Sequence, residues 1–409
     1  METDPKNPAE GPRADDAASG IPGGRLLGGM RLLLLFAGHA VGTTNIMGVM
    51  AFAPAIQRDL GLTPAGFGLL VAAYYGAQPI VALPGGWLVD RIGVRPALAI
   101  SMALVSVCAL MLSLVEGGGV AAALLILAGI AYSLVNPATG VGVVTWFPPE
   151  WRSTMMSIKQ AGVPMGGIMA AIIAGVVGPE DWRASAATVA VAALVTAVGA
   201  MLVPRGPAPP AFKRAGAAGI LVVARNAKLL RICGATFLLN SAQAGFYTYL
   251  VLYLVGPVGL SAAMAALVFG TTHAASAVAR IGWGLLADRV WRGDALGCLR
   301  VIAFAAGLGF VGLALGQALG LPMAAMAAVY LGVTVAAFAG VAQAAAVAEA
   351  PRHQIGAAMG VYMVLTPLGS VVGPSAFGGL IEATGGYWVP YLAMTGLTVL
   401  VGALVLRRG

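Results

Sequence analysis

A succession of long apolar runs, separated by short charged or Gly- and Pro-rich breaks, constrains this chain more than any other feature. A helix that crosses the roughly 30 Å core of a bilayer needs about 20 apolar residues. The chain draws 59% of its residues from the set AVILMFWYC and 9% from Asp, Glu, Lys and Arg, whereas soluble domains average about 25% charged residues. It cannot cover a water-facing surface and is predicted to be an all-α integral membrane protein.

The apolar runs predict twelve transmembrane helices. Their approximate ranges are 32–56, 64–86, 97–115, 120–147, 153–178, 184–203, 229–256, 262–286, 297–319, 322–348, 355–380 and 389–406. A polar stretch at 204–228, rich in proline and basic residues, separates the sixth run from the seventh. The predicted organisation is a disordered cytoplasmic tail at 1–30, an N-terminal six-helix half at 31–203, a cytoplasmic linker at 204–228 and a C-terminal six-helix half at 229–409.

The positions of the basic residues set the expected orientation. If the tail is cytoplasmic, 19 of the 23 Lys and Arg residues fall on the cytoplasmic side of the membrane. Arg58 and Arg183 then fall on the other side, and Lys159 and Arg280 fall within spans. Because cytoplasmic loops carry an excess of Lys and Arg, both termini are predicted to be cytoplasmic, in a multi-pass protein of the inner (plasma) membrane.

The two halves share three landmarks in the same order. GWLVDR at 86–91 recurs as GLLADR at 284–289, an offset of 198 residues, after the second helix of each half. The acidic and basic residues at 150–152 have a looser match at 349–352, and PMG at 164–166 matches PLG at 367–369 in the fifth helix of each half. Internal repeats with a binding site between them are typical of secondary transporters that work by alternating access.

The loop after the second predicted helix carries the sequence GWLVDRIGVR at 86–95. It resembles the G-x-x-x-D-R-x-G-basic-basic pattern of the major facilitator superfamily, and the resemblance extends over the chain from Arg31 onward in number of spans, orientation and repeat. It implies that superfamily's fold of two pseudo-symmetric six-helix halves. The residues of the pattern also suit a gate. Gly86 and Gly93 allow a close approach and a turn, and Asp90 accepts hydrogen bonds from neighbouring helix ends and arginines and holds one face shut. The alternative is an ordinary basic loop that fixes topology. The predicted gating residues are Gly86, Asp90, Arg91, Gly93, Arg95, Asp288 and Arg289.

Signatures of other protein classes are missing from the sequence. None of the four lysines is followed by Ser or Thr, so no Walker A motif is present. GLGFVG at 307–312 fits a dinucleotide-binding pattern, but it lies within a predicted span without a preceding strand and is interpreted as helix packing. The three histidines lie on different segments and the three cysteines have no paired spacing. We expect no enzyme activity, no metal, no cofactor and no nucleic-acid partner.

Charged groups inside the spans are the strongest pointers to a binding site. None of the fifteen Asp and Glu residues falls in the interior of a predicted span, whereas Lys159, Arg280, His39 and His273 do. A cavity lined by these groups is expected to attract anions. The segment ARIGWG at 279–284 resembles the helix 8 arginine region of monocarboxylate and oxalate/formate carriers, which implies that Arg280 holds a substrate carboxylate. The alternative is that Arg280 extends to the membrane surface.

The predicted function is secondary transport of a small organic anion, a carboxylate, by alternating access. A proton is the expected co-transported ion, carried by the substrate, by His273 or by His39; exchange is the alternative mode of coupling. Other functions considered are export of drugs or amphipathic solutes, and a membrane receptor of the same fold. The predicted partners are the anionic substrate and the lipid bilayer. The predicted substrate-binding residues are Arg280, Lys159, His273, Asn45, Tyr75, Asn240, Gln243 and Tyr362.

Asp90→Asn tests the gating role that the repeated Asp-Arg pattern predicts. The substitution removes the carboxylate charge but keeps the size of the side chain. We expect transport to fall while expression and membrane insertion stay near normal, measured as initial flux per inserted protein. A fully active Asp90→Asn protein would count against the gate and in favour of a topogenic loop.

Overall fold

A computed structural model describes residues 24–206, 225–349 and 355–405, and these residues form helices joined by short turns, with no strand among them. In the N-terminal half the helices are α1 (Gly24–Ala51), α2 (Ala53–Asp59), α3 (Pro64–Ile92), α4 (Val94–Leu112), α5 (Gly118–Ser133), α6 (Val135–Trp146), α7 (Arg152–Val177) and α8 (Trp182–Leu202). In the C-terminal half they are α9 (Ala227–Val255), α10 (Ala262–Arg289), α11 (Ala295–Leu319), α12 (Leu321–Val333), α13 (Ala339–Ala348), α14 (Ile355–Leu365), α15 (Gly369–Thr384) and α16 (Trp388–Leu400). Most of the predicted tail and linker lies outside the described residues.

Length and composition suit these helices to a bilayer. Within the described ranges, eight helical segments are long and apolar enough to cross a membrane when α5 with α6 and α14 with α15 each count as one segment. The number is nine if α2 and the first part of α3, bent by 112°, count as one span. Large aliphatic side chains project from them, with Val176 at 80% and Leu308 at 70% exposure. Such side chains suit a lipid environment, and continuous helices satisfy their own backbone groups there.

Three predicted spans are each interrupted in the structure. The run 120–147 is divided into α5 and α6 at Leu134, because Pro137 has no N–H to donate and its ring would clash with the carbonyl of Ser133. The run 322–348 is divided into α12 and α13 by turns at residues 334–338. The run 355–380 is divided into α14 and α15 by a single 3₁₀ turn at Thr366–Leu368.

The predicted boundary of the first span was also wrong. Residues 24–30, assigned to the tail, are the first turns of α1, and Leu27 packs against the core of the N-terminal half. The helix is also not continuous up to residue 56. It is interrupted at Phe52 and resumes as α2, whose first turn contains Pro54.

Close helix pairs hold each half together at matching glycines. In the N-terminal half α7 packs on α1, and an added Cβ at Gly166 would lie 2.8 Å from the Cβ of Thr43 and 2.9 Å from the carbonyl oxygen of Ala40. In the C-terminal half α15 packs on α9, and an added Cβ at Gly369 would collide with the carbonyl of Phe237. Gly166 and Gly369 are the last residues of the two Pro-x-Gly landmarks, so the repeated sequence performs the same packing role twice.

Two further helix pairs join the halves to each other. α3 packs against α15, and α7 packs against α10. Gly68 and Gly378 allow the first contact, since an added Cβ at either would collide with the hydroxyl of Tyr249. Gly167 allows the second, because the imidazole of His273 lies directly against it. The site described below lies between these two pairs.

Gly166→Val should destabilise the N-terminal half, because the new side chain would force α7 away from α1. Overpacking of this kind costs roughly 1–3 kcal/mol. We expect a lower midpoint of thermal unfolding in detergent, measured by the exposure of buried cysteines. Gly175→Val is the matched control, since Gly175 lies on the same helix with no atom within 4 Å of an added Cβ. Equal effects of the two substitutions would contradict the proposed packing.

Candidate functional site

A cavity of about 150 Å³ lies between the two halves. It is bounded by α1, α3, α5 and α7 from the N-terminal half and by α9, α10 and α15 from the C-terminal half. Its polar and aromatic lining residues are Thr43, Tyr74, Tyr75, Gln78, Tyr132, Gln243, Tyr247, His273, Arg280 and Ser370.

Arg280 supplies the full charge in this lining. One terminal nitrogen, Nη2, donates to the carbonyl of Ala336 over 3.3 Å, while the buried Nε has no hydrogen-bond partner among the described residues. No Asp or Glu of the described chain is among the residues that line the cavity. A guanidinium with an unused donor and no facing carboxylate is suited to hold an anion.

The segment between α12 and α13 determines how Arg280 is held. At Thr334 the backbone leaves the helical region, with φ −104° and ψ −91°. The carbonyl of Ala336 accepts from both Arg280 and the hydroxyl of Ser276, the latter over 2.8 Å. The guanidinium thus lies near the C-terminal, partly negative end of the half-helix α12. This compensates part of its charge without supplying a full counter-ion.

Aromatic rings form much of the remaining wall. The ring of Tyr247 stacks on His273, with centroids 4.2 Å apart and planes 8° from parallel, and Phe269 meets His273 edge-on at 4.7 Å. Tyr74 stacks on Tyr132 across the cavity wall at 6.3 Å. The buried Nε2 of His273 and the hydroxyl of Tyr74 have no hydrogen-bond partner among the described residues. Both are available to a polar ligand.

Four of the eight predicted substrate-binding residues line the cavity, namely Arg280, His273, Tyr75 and Gln243. Gln243 also donates to the carbonyl of Val335 over 3.1 Å, so it both faces the cavity and joins two helices.

The other four are placed elsewhere in the structure. Lys159 is buried and donates to Thr139 over 3.0 Å, and Asn45 lines a small separate space beside Trp182. Asn240 donates over 2.9 Å to the carbonyl of Thr366 at the α14–α15 break, which is an interhelical bond. Tyr362 is 3% exposed and is not among the cavity-lining residues.

The predicted gating residues lie at one end of the bundle, which we name the Gly93 face after the turn between α3 and α4. Gly93 has φ +87°, a conformation that favours glycine. Arg95 donates to the carbonyls of Ala200, over 3.1 Å, and Met201 at the end of α8, while the Arg91 guanidinium lies 5.4 Å from the Trp87 ring. Asp90, Asp288 and Arg289 are exposed at the same end.

The close approach expected at Gly86 is not seen. An added Cβ there would meet no atom of the described residues within 4 Å. Of the two glycines in the motif, Gly93 has a positive φ and Gly86 does not.

The opposite end of the bundle, which we name the Asp59 face, is closed by contacts between the halves. The hydroxyl of Tyr249 on α9 donates to the carbonyl of Pro64 over 2.6 Å and lies 3.1 Å from the carbonyl of Pro374. The backbone N–H of Ala65 donates to the carboxylate of Glu382 over 2.9 Å, so an acidic side chain from α15 caps the start of α3. These contacts separate the cavity from the Asp59 face.

Several residues of this site were not predicted from the sequence. Tyr132 and Thr43 line the cavity, and Ser276 shares a carbonyl with Arg280. Tyr132 could have been suspected from the sequence, because it lies shortly before the helix break caused by Pro137. The break between α12 and α13 had a weaker signal, the β-branched run VTV at 333–335 between Gly332 and Gly340.

A helical membrane bundle with a cationic, aromatic cavity between two related halves is the architecture of a small-molecule carrier. The chain belongs to the Major Facilitator Superfamily, whose family model matches residues 35–319.

Several proteins resemble the chain. It is 23% identical over 399 residues to the hexuronate transporter of Bacillus subtilis (strain 168), covering 92% of this chain and 93% of that protein. It is 32% identical over 126 residues to the probable galactarate/D-glucarate transporter of Escherichia coli (strain K12), covering 29% of this chain and 28% of that protein. Its fold is similar to the inward-facing, occupied structure of a bacterial homologue of the human lysosomal transporter Spinster, with TM-score 0.78, 16% identity and coverage of 94% and 97%.

Tyr249→Phe should loosen the closed Asp59 face, because it leaves the carbonyl of Pro64 without its donor from the other half. A net loss of about 1 kcal/mol would raise the open fraction roughly fivefold. The measurement is the rate at which a membrane-impermeant thiol reagent, added at the Asp59 face, labels Ala244→Cys in the cavity wall after the three native cysteines are replaced.

Tyr253→Phe is the matched control for that experiment. Tyr253 lies one turn further along α9 and donates over 2.6 Å to Leu313, within the same half. We expect no change in the labelling rate. Faster labelling in both variants, or in neither, would contradict a seal at Tyr249.

Proposed function

We propose that the chain is a secondary transporter of small organic anions, with sugar acids of the hexuronate type as its substrate class. Its twelve spans would form two six-helix halves that alternately expose the cavity to the two sides of the membrane. The cavity binds the anion, with Arg280 on the carboxylate. The tyrosines, Gln78 and Gln243 supply surfaces and hydrogen bonds for the polyhydroxylated part of the substrate.

The position of Arg280 is the observation that carries this proposal. Its Nε is buried beside the cavity without a partner in the described residues, and the partner of Nη2 is a backbone carbonyl rather than a carboxylate. A buried cation without a full counter-charge is unfavourable, and a bound anion would relieve that cost. Similarity to a hexuronate transporter and to a probable galactarate/D-glucarate transporter supports the same class of substrate.

The access route follows from the contacts between the halves. The Asp59 face is closed by the contacts of Tyr249 and Glu382, which join the two halves there. We infer that the cavity opens toward the Gly93 face. With both termini in the cytoplasm, as the distribution of basic residues indicates, this is an inward-facing state.

Export of amphipathic solutes is the second candidate function, and the aromatic lining favours it. Tyr74, Tyr75, Tyr132 and Tyr247 all border the cavity. Stacked rings can hold flat apolar or cationic molecules by contact and cation–π attraction. Arg280 opposes this function for cations, since it would repel them.

Flux measurements on the purified chain in proteoliposomes separate these functions. The panel contains labelled D-glucuronate, D-glucarate, lactate, a nucleoside and a lipophilic cation, each tested with and without a pH gradient. Saturable flux of the sugar acids, competed by one another and not by the cation, is the expected result. Flux of the lipophilic cation alone would favour the exporter, and no flux of any compound would favour a non-transporting receptor.

Arg280 substitutions test the proposed anion contact directly. Arg280→Lys keeps the charge but loses the planar fork that matches a carboxylate, so affinity for D-glucuronate should fall substantially. Arg280→Gln should nearly abolish binding, because removal of one partner of a buried charge pair costs roughly 2–5 kcal/mol, which is at least about thirtyfold in affinity.

Lys228→Gln serves as the control for charge alone. Lys228 is a surface cation, with its side chain 75% exposed and 3.8 Å from Glu349. We expect the Lys228→Gln protein to bind D-glucuronate with the same affinity as the unmodified protein. If Arg280→Gln binds D-glucuronate as tightly as Lys228→Gln does, Arg280 is not the anion contact.

A further inference from the structure

A continuous chain of polar contacts in the N-terminal half connects Lys159 to the cavity. The Nζ of Lys159 donates to the Oγ1 of Thr139 over 3.0 Å, and the Nε2 of His39 lies 3.0 Å from the same oxygen. The Nδ1 of His39 lies 3.4 Å from the hydroxyl of Tyr132, which is 2.9 Å from the Oγ1 of Thr43. Thr43 and Tyr132 both line the cavity, whereas His39 is 0% and Lys159 is 3% exposed.

The protons of the two threonine hydroxyls are already assigned by their shortest contacts. Thr139 donates to the carbonyl of Val135 over 2.7 Å, so its oxygen accepts from Lys159 and from His39. The hydrogen atom of neutral His39 is therefore on Nε2. Thr43 donates to the carbonyl of His39 over 2.6 Å, so the hydroxyl of Tyr132 donates to Thr43.

This assignment leaves one position in the chain that can take another proton, the Nδ1 of His39. It faces the oxygen of Tyr132 with a lone pair on each atom. A proton on Nδ1 would convert that contact into a hydrogen bond donated to the tyrosine oxygen. The imidazole would then be a cation with both nitrogens hydrogen-bonded.

The charge of Lys159 opposes this protonation. Lys159 Nζ and His39 Nε2 are at most about 6 Å apart, since each lies 3.0 Å from the Thr139 oxygen. Among the residues that the structure describes, Tyr132 is the other titratable group in contact with His39. α6 contributes the hydroxyl of Thr139, and α4 contributes the apolar side chains of Leu98 and Met102 beside Gly38 and Gly42, on the same stretch of α1.

Arg280, across the cavity near Tyr132, is the further cation of this region. No Asp or Glu lines the cavity in the described chain. An anion bound in the cavity would therefore be the negative charge nearest to the chain of contacts, and would offset Lys159.

We propose that His39 Nδ1 is a proton-binding site that is filled when an anion occupies the cavity, with Lys159 keeping it empty otherwise. The proton comes from cavity water at the wall formed by Thr43 and Tyr132, and it returns to water when the anion leaves. Because binding free energies are reciprocal, the protonated site binds the anion more tightly. The anion coupling rests on the proposed function; the proton site itself rests on the N-terminal half alone.

Nuclear magnetic resonance of the imidazole nitrogens tests the proton site without any ligand. The sequence has three histidines, so the full chain with His273→Gln and His353→Gln in nanodiscs contains His39 as its single imidazole. At neutral pH we expect the proton on Nε2 and none on Nδ1. Lys159→Gln should shift the titration midpoint of the His39 signal to higher pH by about one to two units, from the Coulomb repulsion removed.

Thr139→Val is the second variant, with nearly the same shape but no acceptor for Nε2. It should yield a mixture of the two neutral tautomers. With Thr139 intact, a proton found on Nδ1 at neutral pH would overturn the proposed site, and so would a titration midpoint that Lys159→Gln does not move.

Proton uptake on anion binding tests the coupling. D-glucuronate is added to the purified chain in weakly buffered solution with a pH-indicating dye. The unmodified protein and His353→Asn should take up as much as one proton per bound anion, and His39→Asn should bind the anion without uptake. Equal uptake by His39→Asn would overturn the coupling. If neither D-glucuronate nor D-glucarate binds to the unmodified protein, the proposed substrate class fails, while the ligand-free measurement still decides the proton site.

Discussion

Every backbone carbonyl that a helix break releases inside a bilayer must find a hydrogen-bond donor, because no lipid tail can supply one. The structure meets this requirement with side chains. The carbonyls of Val333, Val335 and Ala336, at the end of α12 and in the segment after it, accept from Trp283, Gln243 and the Ser276–Arg280 pair respectively. The polar character of the C-terminal half near its centre follows from this one constraint.

The same constraint explains how a cation can remain within the membrane without a carboxylate beside it. A carbonyl at a helix end carries only part of a charge, so it stabilises Arg280 without neutralising it. A full ion pair would hold the guanidinium in place more strongly and would leave less to gain from a ligand. Because its charge is only partly compensated, the guanidinium of Arg280 can stay buried and still bind an anion.

Composition and repeats predicted much of this architecture. Apolar runs, basic loops and the Asp-Arg pattern identified the class of protein, and the Pro-x-Gly landmarks identified the repeat, whose glycines lie in two close helix contacts. Four of the residues proposed for binding line the cavity, because charge and mid-span position are visible in a sequence. The sequence does not show how each helix is rotated about its axis. It therefore could not show that Arg280 and Gln243 face the cavity while Lys159 and Asn240 do not. The proline at 137 marked one break, whereas the break after α12 has no proline and depends on tertiary contacts.

The amides of α9 have a mechanical consequence. Asn240 and Gln243 are three residues apart and thus share one face of the helix, yet each satisfies a carbonyl at a different break, Thr366 in one case and Val335 in the other. A rotation or sliding of α9 would withdraw both donors together, so such a movement would disturb both breaks at once. A movement of α9 would therefore reach both interrupted helices, α12–α13 and α14–α15, in the same step.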